Sequence, residues 1–379
     1  MKKPTFFGGR QTASTPVQTA PARSASVWGG VGSVSPGELR LYRAVREAIP
    51  LVDAAIQKLV RLAGGFDVLC SDTNAQPLVE EFLNNVRVSG GGVSINCFIE
   101  RYLDCMLTCG TAVGEIVLSK GRGSIAGLYL ANLDDLEIRE GDDPFNPQIL
   151  VKGERGELIA PTMPSLILTS SLAPLPGEVR GRSILSGMPF FADILTTIFK
   201  SVGQNFERMG NLRYAVTYKP PEDRALSSYN DDIARTIAHE WADGMNSQKM
   251  GVIKDFVAVG DVSVKVIGAD GQALDMQGPV RCILEQLIAK LGIPPFMLGL
   301  SWSTTERMSS QQADILTSEL EAYRRYLTPI IIRILRIWAA LSGISTEFAV
   351  KWHDINLQDE VELARAELLR AQAKNTAKG

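Results

Sequence analysis

The clearest periodic signal lies between Val280 and Gly343. In VRCILEQLIAKLG, Val280, Ile283, Leu284, Leu287, Ile288 and Leu291 share one helical face, and Gly292 stops the segment. Ile293-Pro294-Pro295 cannot continue a helix, because proline lacks the amide hydrogen and forces its predecessor towards extended angles. A link from Phe296 to Ser303 follows, and Ser303-Thr304-Thr305-Glu306 then has the spacing of a capping box. From there Leu316, Leu320, Tyr323, Leu327, Ile331, Ile334, Trp338 and Leu341 alternate steps of three and four up to Gly343. Such a helix would be roughly 55 Å long. Its distal half, PIIIRILRIWAAL, carries only Arg333 and Arg336 as charges and is apolar nearly all round. That predicts burial by more than one neighbour, with a kink at Pro329. The two arginines, in a run barely long enough to cross a bilayer, argue against a membrane span.

The rest of the chain reads as helices first and strands second. Leu41, Val45, Ala48, Val52, Ile56 and Leu59 predict an amphipathic helix bent at Pro50 and closed by Gly64-Gly65. Extended FDVLC follows, then a helix opened by Pro77 with Leu78, Val79, Phe82, Leu83 and Val86 on one face, then a helix over 95–108. Runs 112–118, 125–130, 136–139 and 148–169 read as strands with glycine-containing turns. A long helix with the face Met188, Phe191, Leu195, Ile198, Val202, Phe206 and Met209 leads to Gly210. Between it and Val280 lies an insert: strand RYAVTYK, a Pro220-Pro221 turn, a helix bearing Ile233, Ile237, Trp241 and Met245, then strands VIKDFVAV and VSVKVIG. Beyond Gly343, FAVKWHDINLQD reads as strand and turn, and 359–374 as a charged helix.

Charge and chemistry narrow the function. With 39 Lys+Arg against 42 Asp+Glu, the net charge is -3, so the chain as a whole does not grip nucleic acid. A neutral or acidic passage in which DNA slides is compatible with that balance. The sequence lacks a phosphate-binding G-K-S or G-K-T loop, G-x-S-x-G, and G-x-G-x-x-G after a strand. Gly90-Gly91-Gly92 therefore reads as a linker. His239-Glu240 fails as a zinc-protease motif because Asp243 stands where the second histidine belongs. The acidic clusters at 134–137 and 140–143 read as solvated loop ends rather than a carboxylate metal site. Cys105 and Cys109 lie one helical turn apart, but zinc needs four ligands and His239 and His353 are far off, so the five cysteines read as buried reduced thiols in a reducing compartment. Residues 1–36, rich in Ser, Thr, Pro, Ala and Gly and without an acid, read as a disordered arm with no secretory signal. No cofactor, metal or enzymatic activity is expected.

LGIPPFMLGLSWSTTERMSSQQ followed by SELEAYRRYLTPIIIRIL resembles the portal proteins of tailed bacteriophages. Their pattern is a stem helix, two prolines, a short L-G loop facing a central tunnel, and a long kinked helix. Cys109-Gly110-Thr111-Ala112 resembles the family's f-G-n-a corner, and Gly181-Arg182-Ser183-Ile184-Leu185 its G-x-S-x-L stretch before the first stem helix. The resemblance covers about residues 37–365. It implies an α+β portal fold assembled as a ring: a wing at 37–180, a first stem helix at 181–210, a clip at 211–275, a second stem helix at 276–292, a tunnel loop at 293–305, a long kinked wing helix at 306–342 and a short crown at 343–379.

The implied role is that of a dodecameric portal at one capsid vertex, in the virion and, during assembly, in the host cytoplasm. Double-stranded DNA would pass through the ring, and the terminase large subunit, then the head-tail connector, would dock on it beside the major capsid protein. No membrane is involved. Leu298, Gly299, Leu300, Ser301, Trp302, Ser303, Thr304, Thr305 and Arg307 would face the channel. Trp302 would either touch DNA or pack beneath the loop, and Arg307 would hold a phosphate or pair with Glu306 or a neighbour. Ile330, Ile331, Ile334, Leu335 and Trp338 would meet sister subunits, and Trp241, Met245 and Phe256 would belong to the clip. The alternatives are another ring-forming connector or scaffold protein, a monomeric helical binding module that buries Ile330 to Trp338 in one core, and a carboxylate-based hydrolase.

Overall fold

The computed structural model describes residues 36–141, 146–153, 155–210, 213–219, 230–249, 261–267, 276–300 and 306–355. The first apolar stripe forms two helices, α1 (Pro36–Ala48) and α2 (Pro50–Ala63), because Pro50 drives Ile49 to extended angles, φ -122 and ψ 95. That break rotates the buried face: Leu39, Tyr42, Val45 and Ile49 are buried, whereas Leu41 and Ala48, expected inside, are exposed. β1 (Phe66–Cys70), α3 (Gln76–Asn85) and the pair β2 (Arg87–Val88) and β3 (Gly92–Val93) follow. Gly90 and Gly91, at φ 75 and 79, lie in the turn of that pair, and Gly92, expected in a linker, is paired with Val88 in β3.

α4 (Ile95–Cys109) is the axis of the core. Ser94 caps it by accepting from the Cys97 amide, and Ile95, Phe98, Ile99, Tyr102, Leu103, Met106 and Leu107 are buried. It lies against a five-stranded sheet of order β3-β2-β5-β4-β9, in which β4 is Thr111–Leu118, β5 Ile125–Leu130 and β9 Ile167–Ser171. The buried Tyr102 hydroxyl donates to the Ala112 carbonyl at 3.1 Å, and burial raises its phenol well above the ordinary range. A smaller sheet contains β6 (Leu136–Arg139), β7 (Gln148–Lys152) and β8 (Leu158–Ile159). The remaining elements are α5 (Met188–Gly210), β10 (Arg213–Lys219), α6 (Asn230–Lys249), β11 (Asp261–Ile267), α7 (Gln277–Leu291), α8 (Glu306–Ser342) and β12 (Phe348–Trp352).

Two features tie distant parts together. β1 pairs antiparallel with β12, from Phe66 opposite Trp352 to Cys70 opposite Phe348. Beside them Arg324 of α8 is only 8% exposed. It donates to the Ala63 carbonyl at 2.8 Å and the His353 carbonyl at 2.7 Å, and its guanidinium lies 5.1 Å from the Trp352 ring. A cation at the C-terminus of α2 also suits the helix dipole. Arg324→Met is expected to leave both carbonyls without this donor and to cost about 2–3 kcal/mol, read as a lower urea midpoint. An unchanged midpoint would remove the residue from its structural role.

Candidate channel and subunit surfaces

The helix–turn–helix stretch predicted from the sequence is present up to Leu300. α7 buries Ile283, Leu287, Ile288 and Leu291 and packs against α2 and α5. Gly292 ends it in the left-handed region at φ 68, and its amide donates to the Ile288 carbonyl. Pro294 then starts a single tight helical turn, Pro295–Leu298, which Gly299 closes at φ 75 while the Leu300 amide donates to the Pro295 carbonyl. Of the expected channel residues, Leu298, Gly299 and Leu300 therefore belong to a rigid turn set against α2. Ser301, Trp302, Ser303, Thr304 and Thr305 lie outside the described residues, and with them the expected capping hydroxyl. Arg307 is in the first turn of α8, but its side chain is outside the described set.

α8 runs unbroken through Pro329, and its apolar half corrects an expectation. Ile330, Ile331, Ile334 and Leu335 are buried within this one chain, in the same core as α2 and α4. They cannot be the surface offered to sister subunits. Trp338 is half-buried and stacks on Phe82 of α3, centroids 5.3 Å apart, at the wall of a cleft of about 540 Å3. The wide apolar pattern is covered by several neighbours, α2, α4, β9 and β12, all elements of the same protomer, while Arg333, Arg336 and Ala340 stay exposed.

α5 departs from the pattern in the opposite sense. Met188, Ala192 and Leu195 are buried and the helix packs on α1 and α7, yet Phe206, expected on the buried face, is 70% exposed, and Phe199 is 56% exposed. Apolar side chains also stand out in the first turns of α8, where Met308 and Ile315 are exposed. In the insert, β10 and β11 pair antiparallel from Arg213 opposite Ile267 to Lys219 opposite Asp261. Trp241 is half-buried on α6. The side chain of Met245, and Phe256 with the strand expected around it, lie outside the described residues.

The joint between the five-stranded sheet and α5 is made of backbone. Gly110, at φ 80, ends α4, and Gly181 lies directly against it. A Cβ on Gly181 would fall 2.0 Å from the Gly110 carbonyl oxygen and 2.2 Å from the Leu172 amide nitrogen. Around this contact the Leu172 amide donates to Gly110, the Arg182 amide to Leu172, and the Gly181 amide to the Thr111 hydroxyl, each at 2.7–2.8 Å. The buried Ser183 hydroxyl donates to the Thr108 carbonyl at 2.6 Å and accepts from the Leu185 amide. Both glycines stand in the short stretches singled out from the sequence, but their mutual contact was not legible there.

Reactive groups are few among the described residues. All five cysteines are free, but against the expectation of buried thiols only Cys109 is buried; Cys70, Cys97 and Cys105 are half-buried and Cys282 is exposed. Within the Cys105–Cys109 pair, the hydrogen bond between the thiols pushes Cys105 up and brings Cys109 down, the latter aided by Arg43. Asp134 is paired with Arg43 at 2.5 Å and largely covered, and Glu137, expected at a loop end, lies within β6 and pairs with Arg139 at 2.6 Å. No group of three or more metal-ligating side chains occurs among the described residues, and no helix among them is long and apolar enough to cross a membrane.

This geometry belongs to the α+β class: a helix-and-sheet body, two long helices leading to and from an insert, and a long helix returning through the core. Among solved structures the fold is shared with chains of gene transfer agent (GTA) particles. One is from the neck of an empty GTA particle computed with C6 symmetry, at 15% identity over 93% of this chain and 91% of that chain, TM-score 0.61. Another is from the virion of a native GTA particle, at 13% identity over 93% and 91%, TM-score 0.60. A third, from the neck of a native GTA particle computed with C12 symmetry, matches at 15% identity over 88% and 89%, TM-score 0.59. No family model matches the chain, and no curated protein does.

Proposed function

We propose that this chain is a portal subunit, a non-catalytic building block of a ring through which double-stranded DNA enters and leaves a particle head. The observation that carries the reading is the match along nearly the whole chain to neck chains of GTA particles, one of them solved with C12 symmetry. The order of elements supports it: α5, the insert with α6 and the β10–β11 pair, α7, the proline turn and α8 follow the stem, clip, stem, loop and wing helix of a portal. In this reading twelve copies stand at one vertex of the head, and α5 and α7 line the passage. The turn at Leu298 to Leu300 carries the loop towards the axis, and the insert meets the terminase large subunit and later the head-tail connector. The wing lies beside the major capsid protein. Ile330, Ile331, Ile334 and Leu335 are buried inside one protomer and do not support a ring, and the reading does not rest on them.

Electron microscopy of the purified full chain tests this directly. Rings with an open centre are the expected result, and a monomer at every concentration would overturn the reading. In a packaging assay, deletion of Ser301 to Thr304 is expected to spare the ring and reduce the DNA retained. Undiminished packaging would remove the loop from its assigned place.

A further inference from the structure

We propose that the face of α5 around Gly203 is a notch that receives the first turns of α8 from a second copy of this chain, an inference that rests on the ring reading above. Phe199 and Phe206 are seven residues apart, so they stand on one side of α5 two turns from each other, 56% and 70% exposed. At these exposures the two rings leave on the order of 250 Å² of aromatic surface in water. Gly203 lies between them, also exposed, and a Cβ built on it meets nothing within 4 Å. Glycine inside a helix weakens it relative to alanine, and no packing among the described residues requires one here. A gap between two aromatic posts is explained when another helix comes close at that point.

The chain itself carries a matching face. Met308 and Ile315 are likewise seven apart on α8 and both are exposed, Ile315 at 69%, so the β-branched side chain can enter the gap as a knob enters a hole. Charge agrees with the pairing: exposed Lys200 adjoins Phe199, and exposed Asp314 adjoins Ile315. Because the two faces are different surfaces of one chain, their contact is head-to-tail, the kind that closes into a ring when the rotation permits.

Cysteine cross-linking tests the pairing in the full chain, on a Cys282→Ser background because Cys282 is exposed. With a bismaleimide linker, Phe206→Cys mixed with Ile315→Cys is expected to give dimers, and the double variant a ladder of higher multimers. Dimers from either single variant alone would overturn the inference in favour of a symmetric contact, and a link confined to one chain would overturn it as well. Rings without any link between copies would defeat the notch but not the ring, whereas wild-type chain that forms no rings would defeat the portal reading itself. Gly203→Ala supplies a second readout. It is expected to raise the thermal midpoint of the unassembled chain while raising the concentration needed for assembly by about tenfold. A variant that assembles as readily as wild type would overturn the notch.

Discussion

Gly181→Ala is expected to be among the most damaging single-methyl changes in this protein, lowering its stability by about 3 kcal/mol or more. The added Cβ would fall 2.0 Å from the Gly110 carbonyl oxygen and 2.2 Å from the Leu172 amide nitrogen. Those atoms are main chain, and the Leu172 amide is itself bonded to Gly110 at 2.7 Å. Neither side can give way by turning a rotamer, so α4, β9 and the lead into α5 would have to separate. The same substitution at Gly278, where a Cβ meets nothing within 4 Å, is expected to be neutral or mildly stabilising. Urea unfolding of the two variants side by side is the measurement, and equal midpoints would show that the joint yields more easily than its geometry implies.

Ile334→Ala carries the second large effect, a loss of about 2–5 kcal/mol from the protomer. Ile334 is fully enclosed, in one core with residues of α2 and α4. The cavity left by truncation would therefore be internal. The informative part is concentration dependence: a side chain lost from one protomer's core lowers the unfolding midpoint equally at all protein concentrations, whereas one lost from a contact between copies acts through mass action. A loss that vanished at high concentration would return this face to the subunit interface.

Ile334 also shows where sequence reading stops. Periodicity recovered α7, α8 and the strands β4 to β7 because each signal is local: spacing of apolar residues, a stop at Gly292, prolines at 294 and 295. The apolar width of α8 stated that several neighbours cover it, but hydrophobic burial has no direction, and a sister subunit and an element of the same chain leave the same pattern. For Phe206 the spacing extended a real buried stripe past the point where α1 and α7 cover α5. The Gly110–Gly181 contact leaves a trace only as two glycines in short stretches, because what matters there is the absence of a side chain. Arg324 was invisible for another reason: its acceptors are carbonyls, which every residue carries.

The pairing of β1 with β12 has a consequence for the order of events during synthesis. A strand near the beginning of the described chain has its partner at Phe348 to Trp352, so its pairing must wait until the chain through Trp352 has been made. Until then Phe66 and Val68 lack the strand that covers them, and Arg324 lacks the His353 carbonyl. A chain cut short before Phe348 cannot complete this sheet, so β12 ties the closing of the fold around β1 to residues made long after it.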